Sequence, residues 1–356
     1  MSPPALDPAA PSATESRYLL QASGLRKTFS SSGRRSSRDE GVPAVQDASI
    51  RVGHAETVAI VGESGAGKST LGRLLIRLIE PDEGEISFEG TDLRALNGRQ
   101  LRSARKHMQM VFQDPYSSLD PVMTVGQSLA EPLTIHENLS RRQTAARVTE
   151  LLDHVGLPAA FADRYPRSFS GGQLQRIAIA RALATRPSLI VCDEPVASLD
   201  LSIQGQILSL LVDLQEQFGL SYVFISHDLG VVRQFARRIV VMYGGRIVEE
   251  AGAQELFAQP THPYTQALLA AIPSVVPREG ARRSRGPVEP APQTDLRAGC
   301  PYRARCPYVM PVCSTAMPPA FEIESRLSPD GGTTDPVPHH VACYLHDPAR
   351  PAPQLV

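Results

Sequence analysis

The chain has 356 residues, with 36 basic against 37 acidic side chains and a formal net charge of −1. That balance excludes any overall electrostatic pull toward nucleic acid or an anionic lipid surface, and no apolar run approaches the roughly 18 residues of a membrane span. The length accommodates two domains, the larger with a full hydrophobic core.

Residues 1–16, rich in Pro, Ala and Ser, lack a basic start followed by an apolar stretch; they read as a disordered leader and not as a secretory signal. Ser30 to Gly41, SSSGRRSSRDEG, is too polar to order itself and reads as a mobile loop. From about Tyr18 to Ile272, strand-like runs alternate with helical ones, the pattern of an α/β chain with a parallel sheet. The first, TVAIV, runs into GESGAGKST, Gly62 to Thr70, which matches the phosphate-binding loop G-x-x-x-x-G-K-[ST]. Gly62, Gly65 and Gly67 free the backbone to aim N–H groups at phosphate oxygens. Lys68 then reaches the β- and γ-phosphates, and Ser69 offers its hydroxyl to Mg²⁺. A helix starts at Ser69, with Leu71, Leu74, Leu75, Leu78 and Ile79 on one face until Pro81 stops the pattern. VGQSLAEPL takes the next strand place in the alternation, followed by a helix near Arg141 to Val155.

FSGGQLQR, Phe169 to Arg176, opens an amphipathic helix that continues through Ile177, Ile179, Ala180 and Leu183. Its bare N–H groups suit a phosphate; the plainer alternative is an N-cap at Ser170 with a flexible glycine entry. LIVCDE, Leu189 to Glu194, is an apolar strand ending in two acids. Asp193 and Glu194 there suit a Mg²⁺ ligand and a group that polarises attacking water, against the alternative of a capped strand end. Cys192 reads as an inert buried thiol. A helix from Ile203 to Phe218 carries Ile207, Leu208, Leu211 and Leu214 on one face and is closed by Gly219. The strand YVFIS follows, then a hairpin about Gly244-Gly245. Residues 276–298 read as a solvated linker, and 299–350 as a Cys- and Pro-rich unit with too few apolar residues for an ordinary core. Cys300, Cys306, Cys313 and Cys343 fit neither paired C-x-x-C knuckles nor the ferredoxin run. Four thiols in such a unit suggest a metal staple, with free thiols as the alternative.

A phosphate loop alone fits kinases, GTPases, helicases and many ATPases. Together with VFQDPYSSLDP, FSGGQLQRIAIARAL, CDEPVASLD and HPYTQALLAAIP, it makes residues 17–275 resemble the ATP-binding subunits of ABC transporters, and among them the dipeptide and oligopeptide importer ATPases. The resemblance implies a P-loop ABC ATPase domain with a parallel core sheet, an antiparallel β subdomain and a helical signature subdomain, then a small Cys-rich extension. ATP and Mg²⁺ are the implied cofactors, with Ser64 and Thr70 joining Lys68 in the loop. Gln113 is implied to touch Mg²⁺ and the attacking water, His227 the γ-phosphate, and Phe29 the adenine ring. The family often has Ser-Ala-Leu-Asp where this chain reads Ala197-Ser198-Leu199-Asp200, leaving Asp200 for a contact across subunits.

The family arrangement is a head-to-tail pair of ATPase subunits, the same or paralogous. Each ATP is clamped between one GESGAGKST and the partner's Ser170-Gly171-Gly172-Gln173. The further implied partners are two transmembrane permease subunits and an extracytoplasmic solute-binding protein, with no nucleic acid, and the implied place is the cytoplasmic side of the membrane. The four cysteines resemble those that hold a 4Fe-4S cluster in this family, zinc being the other candidate. The implied function is ATP-powered import of di- and oligopeptides. An importer for another solute such as nickel, a non-transport ABC protein and a degenerate subunit are the other readings.

Overall fold

The computed structural model describes residues 18–29, 41–272, 298–324 and 337–349. The leader, all of the polar insertion except Gly41, and all of the linker except residue 298 lie outside the described residues.

Two sheets organise the chain. The smaller is antiparallel, with strands in the order Val42–Gly53, Tyr18–Phe29, Glu83–Phe88 and Thr91–Asp92. The larger runs Phe321–Ile323, His339–Val341, Arg246–Gly252, Arg238–Tyr243, Thr57–Val61, Ser221–Ser226, Leu189–Asp193 and Met108–Val111. From Arg238–Tyr243 to Met108–Val111 all neighbours are parallel. The remaining pairs are antiparallel, so the expected parallel core sheet is a mixed one. A hairpin turns at Gly244-Gly245, as the sequence suggests, and later chain returns to add two short strands at that edge.

The parallel strands alternate their side chains between two cores. Ala59, Val61, Ile190, Cys192, Tyr222 and Phe224 face one, together with the helices Val125–His136, Arg141–His154, Gly171–Leu183 and Leu201–Phe218. Val58, Ile60, Val191, Val223 and Ile225 face the other, against the helix Lys68–Leu75 and the antiparallel sheet. That helix lies very close to its strands: a Cβ on Gly72 would come within 2.7 Å of Ile225 Cδ1. Cys300, Tyr302, Cys313 and Tyr344 belong to the first core, so the Cys-rich unit packs on the main body and shares its interior.

Two local expectations are corrected. VGQSLAEPL lies in a helix, Val125–His136, and not in a strand. Thr124 and Gln127 form a reciprocal capping box at its start, and Val125, Leu129 and Leu133 are buried at helical spacing. The helix after the phosphate loop ends at Leu75, short of Pro81. Arg77 turns left-handed at φ 51°. Its N–H donates to Leu74 O and that of Leu78 to Arg73 O, both at 2.8 Å, a Schellman stop that leaves Leu78 42% exposed.

Candidate active site

The phosphate loop joins the end of Thr57–Val61 to the helix Lys68–Leu75. Gly62 and Gly67 are required by space as well as by backbone angle. A Cβ on Gly62 would lie 2.2 Å from Met242 O, and one on Gly67, at φ 97°, would lie 2.2 Å from Ala44 O. Gly65, at φ 81°, meets nothing within 4 Å and leaves the mouth of the cradle open beside exposed Ser64. Thr70 is half-buried in the first turn of the helix.

Lys68 is 4% exposed, and its Nζ donates to Gly62 O at 2.9 Å and Glu63 O at 3.0 Å. Burial lowers its pKa, against the opposing pull of the Glu194, Asp193 and Glu63 carboxylates. A buried cation held by backbone carbonyls, inside a loop that a methyl group would obstruct, fits a polyphosphate.

Asp193 and Glu194 sit at the end of the strand two places from Thr57–Val61. Ser69 Oγ donates to Asp193 Oδ1 at 2.6 Å, and Arg73 Nη2 stands 3.4 Å from Oδ2. Arg73 is a partner that no motif in the sequence signals. The hydroxyl and carboxylate are hard oxygen donors side by side, which suits Mg²⁺. Glu194 takes a left-handed backbone, φ 47°, with its N–H bonded to Ile225 O at 3.0 Å. Its carboxylate accepts from Gln113 Nε2 at 3.1 Å, meets His227 Nδ1 at 3.2 Å and lies 3.9 Å from Lys68 Nζ. Lys68, Ser69, Gln113, Asp193, Glu194 and His227 therefore form one cluster outside the carboxyl ends of the parallel strands, where ligands bind in open α/β sheets.

The remaining predicted residues stand apart from that cluster. Phe29 ends its strand 43% exposed, paired with Val42, two residues before the Ala44 carbonyl that abuts Gly67. Ser170 and Gln173 form a capping box, Ser170 N donating to Gln173 Oε1 at 3.0 Å. A Cβ on Gly172 would press within 2.6 Å of Ile203 Cγ2, so the SGGQ run is packed against the segment that carries Asp200. Asp200 is exposed at the start of Leu201–Phe218 and makes no side-chain cap bond. Among the described residues, no hydrogen bond or ion pair joins Ser170–Gln173 to the phosphate loop.

Cys300, Cys306, Cys313 and Cys343 line one small apolar cavity of about 10 Å³. Burial pushes the Cys300 thiol up to about 11 and the Cys343 thiol up to about 12, and raises that of Cys306. Among the described residues no three His, Cys, Asp or Glu side chains are arranged to hold a metal ion, so as they stand the thiols do not form a ligand set. Cys192 is fully buried and its thiol is pushed up by burial, as expected of an inert one.

A mixed sheet with an antiparallel partner, and a glycine cradle facing two acids across it, define an ABC-type ATP-hydrolysing cassette. The ABC transporter family profile matches residues 45–197, and that of the oligopeptide/dipeptide transporter C-terminal region matches residues 248–313. The chain is 49% identical over 314 residues to a protein described as a probable peptide ABC transporter ATP-binding protein, y4tS, of Sinorhizobium fredii, covering 87% of this chain and 85% of that one. It is 46% identical over 309 residues to the oligopeptide transport ATP-binding protein AppF of Bacillus subtilis, covering 86% and 90%. Among solved structures it is similar to the dimeric cassette MJ0796 bound to ADP and Pi, with a TM-score of 0.59 and 30% identity over 66% of this chain and 98% of that one. The chain belongs to the ATP-binding subunits of oligopeptide/dipeptide ABC transporters, ATPases whose hydrolysis is coupled to transport.

Proposed function

We propose that this chain is the motor subunit of a di- and oligopeptide importer, hydrolysing ATP between its own phosphate loop and the Ser170–Gln173 helix start of a second ATPase subunit. The carrying observation is the grip on Glu194, which Gln113, His227 and Lys68 approach together at the mouth of the loop. Gly62, Ser64, Gly65, Gly67, Lys68 and Thr70 bind the phosphates, and Phe29 lies against adenine. Ser69, Asp193 and Gln113 are the residues that would hold Mg²⁺, which offsets charge building on the transferred phosphoryl group. Glu194 accepts a proton from the attacking water, and His227 orients the γ-phosphate. The exposed capping box at Ser170, with Asp200 beside it, supplies the N–H groups that close over the same phosphates from the facing subunit. Loss of the γ-phosphate removes that bridge and the pair opens.

In this reading the chain lies on the cytoplasmic face of the membrane, against two permease subunits and served by a solute-binding protein. Among the described residues no helix is long and apolar enough to cross a membrane. Residues 17–275 act as the cassette and 299–350 as the extension. Ligation of a 4Fe-4S cluster by the four cysteines, or of zinc, is supported by their meeting at one cavity and opposed by the lack of a ligand arrangement. No step of hydrolysis passes through it, and an anaerobic preparation free of iron and zinc excludes both metals.

The test is the complex reconstituted with its permease and binding protein. Peptide-loaded binding protein is expected to stimulate ATP hydrolysis. Stimulation by nickel and not by any peptide overturns the substrate assignment.

A further inference from the structure

We propose that Arg305 and Tyr264, both outside the nucleotide-binding core, are positioning residues for the phosphate loop. Glu63 follows Gly62 in that loop and is held through every polar group it has. Arg305 Nη1 donates to both of its carboxylate oxygens, at 2.9 Å each. Its backbone N–H donates to the Tyr264 hydroxyl at 2.8 Å. Its carbonyl accepts from Lys68 Nζ at 3.0 Å and from Ala66 N at 3.1 Å, closing the turn that aims the loop. A phosphate cradle works through the direction of its N–H groups, so fixing the residue at its entrance fixes how the following amides point.

The two outer anchors are both packed against aromatic rings. Tyr264 is 1% and Tyr302 4% exposed. With Tyr243 they form a packed aromatic group whose ring centroids lie 4.6, 5.2 and 5.4 Å apart. The Arg305 guanidinium lies 5.8 Å from the Tyr302 ring and 6.0 Å from the Tyr243 ring, so its planar fork is held in place before it meets Glu63. This group ties together the hairpin, the helix Pro263–Ala270 and the Cys-rich unit at one corner of the nucleotide site.

The energetics separate positioning from scaffolding. The Arg305 and Glu63 side chains are 26% and 42% exposed, so their ion pair adds little to global stability. Applied to a loop that must take one shape to bind, the same increment changes nucleotide affinity by about twofold to fivefold.

The proposal rests on the reading of Gly62–Thr70 as the nucleotide site, and the experiment keeps the two apart. ATP affinity, KM and kcat are measured on the full transporter complex for the wild type, Lys68→Ala, Glu63→Gln, Arg305→Met, their double variant and Tyr264→Phe. Glu63→Gln, Arg305→Met and Tyr264→Phe are each expected to raise KM for ATP by about twofold to fivefold with kcat little changed. The Glu63→Gln/Arg305→Met pair is expected to be no worse than either single change, because both break one contact. Unchanged KM in Glu63→Gln, additive losses in the double variant, or a fall in kcat alone overturns the proposal. Glu63→Gln leaves the tail's packing intact, so the result stands even if Arg305→Met misfolds. A Lys68→Ala complex that still binds ATP normally would instead overturn the site reading itself.

Discussion

The Ser69 hydroxyl donates to the Asp193 carboxylate at 2.6 Å, tying the first turn of the loop helix to the end of a strand two places along the sheet. Asp193 is 1% exposed, and Arg73 supplies the charge opposite its second oxygen. Replacing Ser69 by Ala removes one hard oxygen donor and the partner that orients the other. The Mg²⁺ concentration for half-maximal hydrolysis is expected to rise about 10- to 100-fold. A Mg²⁺ titration at saturating ATP checks it, and an unchanged midpoint removes Ser69 from the metal site.

Glu194→Gln keeps the side chain's shape and loses its basicity. Hydrolysis is expected to fall by about 10²- to 10⁴-fold while ATP binding stays close to that of the wild type, because the cradle and Lys68 are untouched. Single-turnover kinetics beside equilibrium binding separate the two, and near-normal turnover rejects Glu194 as the water-polarising group.

The loop glycines differ in what they tolerate. Gly67→Ala places a methyl group 2.2 Å from Ala44 O at φ 97°, so the backbone has to move. Gly65→Ala, at φ 81° in open space, carries only conformational strain, of about 1–3 kcal/mol. Gly67→Ala is expected to lose ATP binding and Gly65→Ala to lower the melting temperature by a few degrees while still binding. Thermal melts with and without ATP distinguish them.

The late strand His339–Val341 is fastened by a buried ion pair with a definite pH sense. Burial opposes charge on His339, but the Glu249 carboxylate at 2.8 Å and Glu255 at 3.6 Å outweigh it and raise its pKa. Its contribution is full below its ordinary 6.5 and is lost as pH rises through the raised value. Burial likewise opposes charge on Glu249, but His339 and the N–H groups of Thr261 and His262 lower its pKa overall. Its contribution is present above 4.5 and lost as pH falls through that lowered value. His262 beside them, pushed down to about 4 by burial, contributes above 6.5 and fades as pH falls. Wild-type protein is expected to melt lower at about pH 9 than at about pH 7. His339→Gln should lose much of that alkaline step, and an identical drop in both proteins refutes the pairing.

The phosphate loop, LIVCD, YVFIS, the SGGQ helix and the double-glycine hairpin were legible because each carries its own local signal. Buried parallel strands read as continuous apolar runs, and helices repeat every three or four residues. Met108–Val111 escaped because four residues at the sheet edge show no period, and the three-residue strands Phe321–Ile323 and His339–Val341 exist only by pairing with a distant partner. VGQSLAEPL misled because its start is set by Thr124, one residue outside the run. In the site, residues whose role belongs to a motif could be found, whereas Tyr264, inside HPYTQALLAAIP, and Arg305 meet Glu63 across 201 and 242 positions, and no local pattern records such a meeting.

Arg246–Gly252 becomes an inner strand only when His339–Val341 pairs with it. On the ribosome it therefore emerges with one row of amide and carbonyl groups bare, and stays so until His339–Val341 has been synthesised. An unpaired border of this kind is a template for a second nascent chain. A chain cut short ahead of His339 is therefore expected to keep that border bare and to aggregate more readily than the full one.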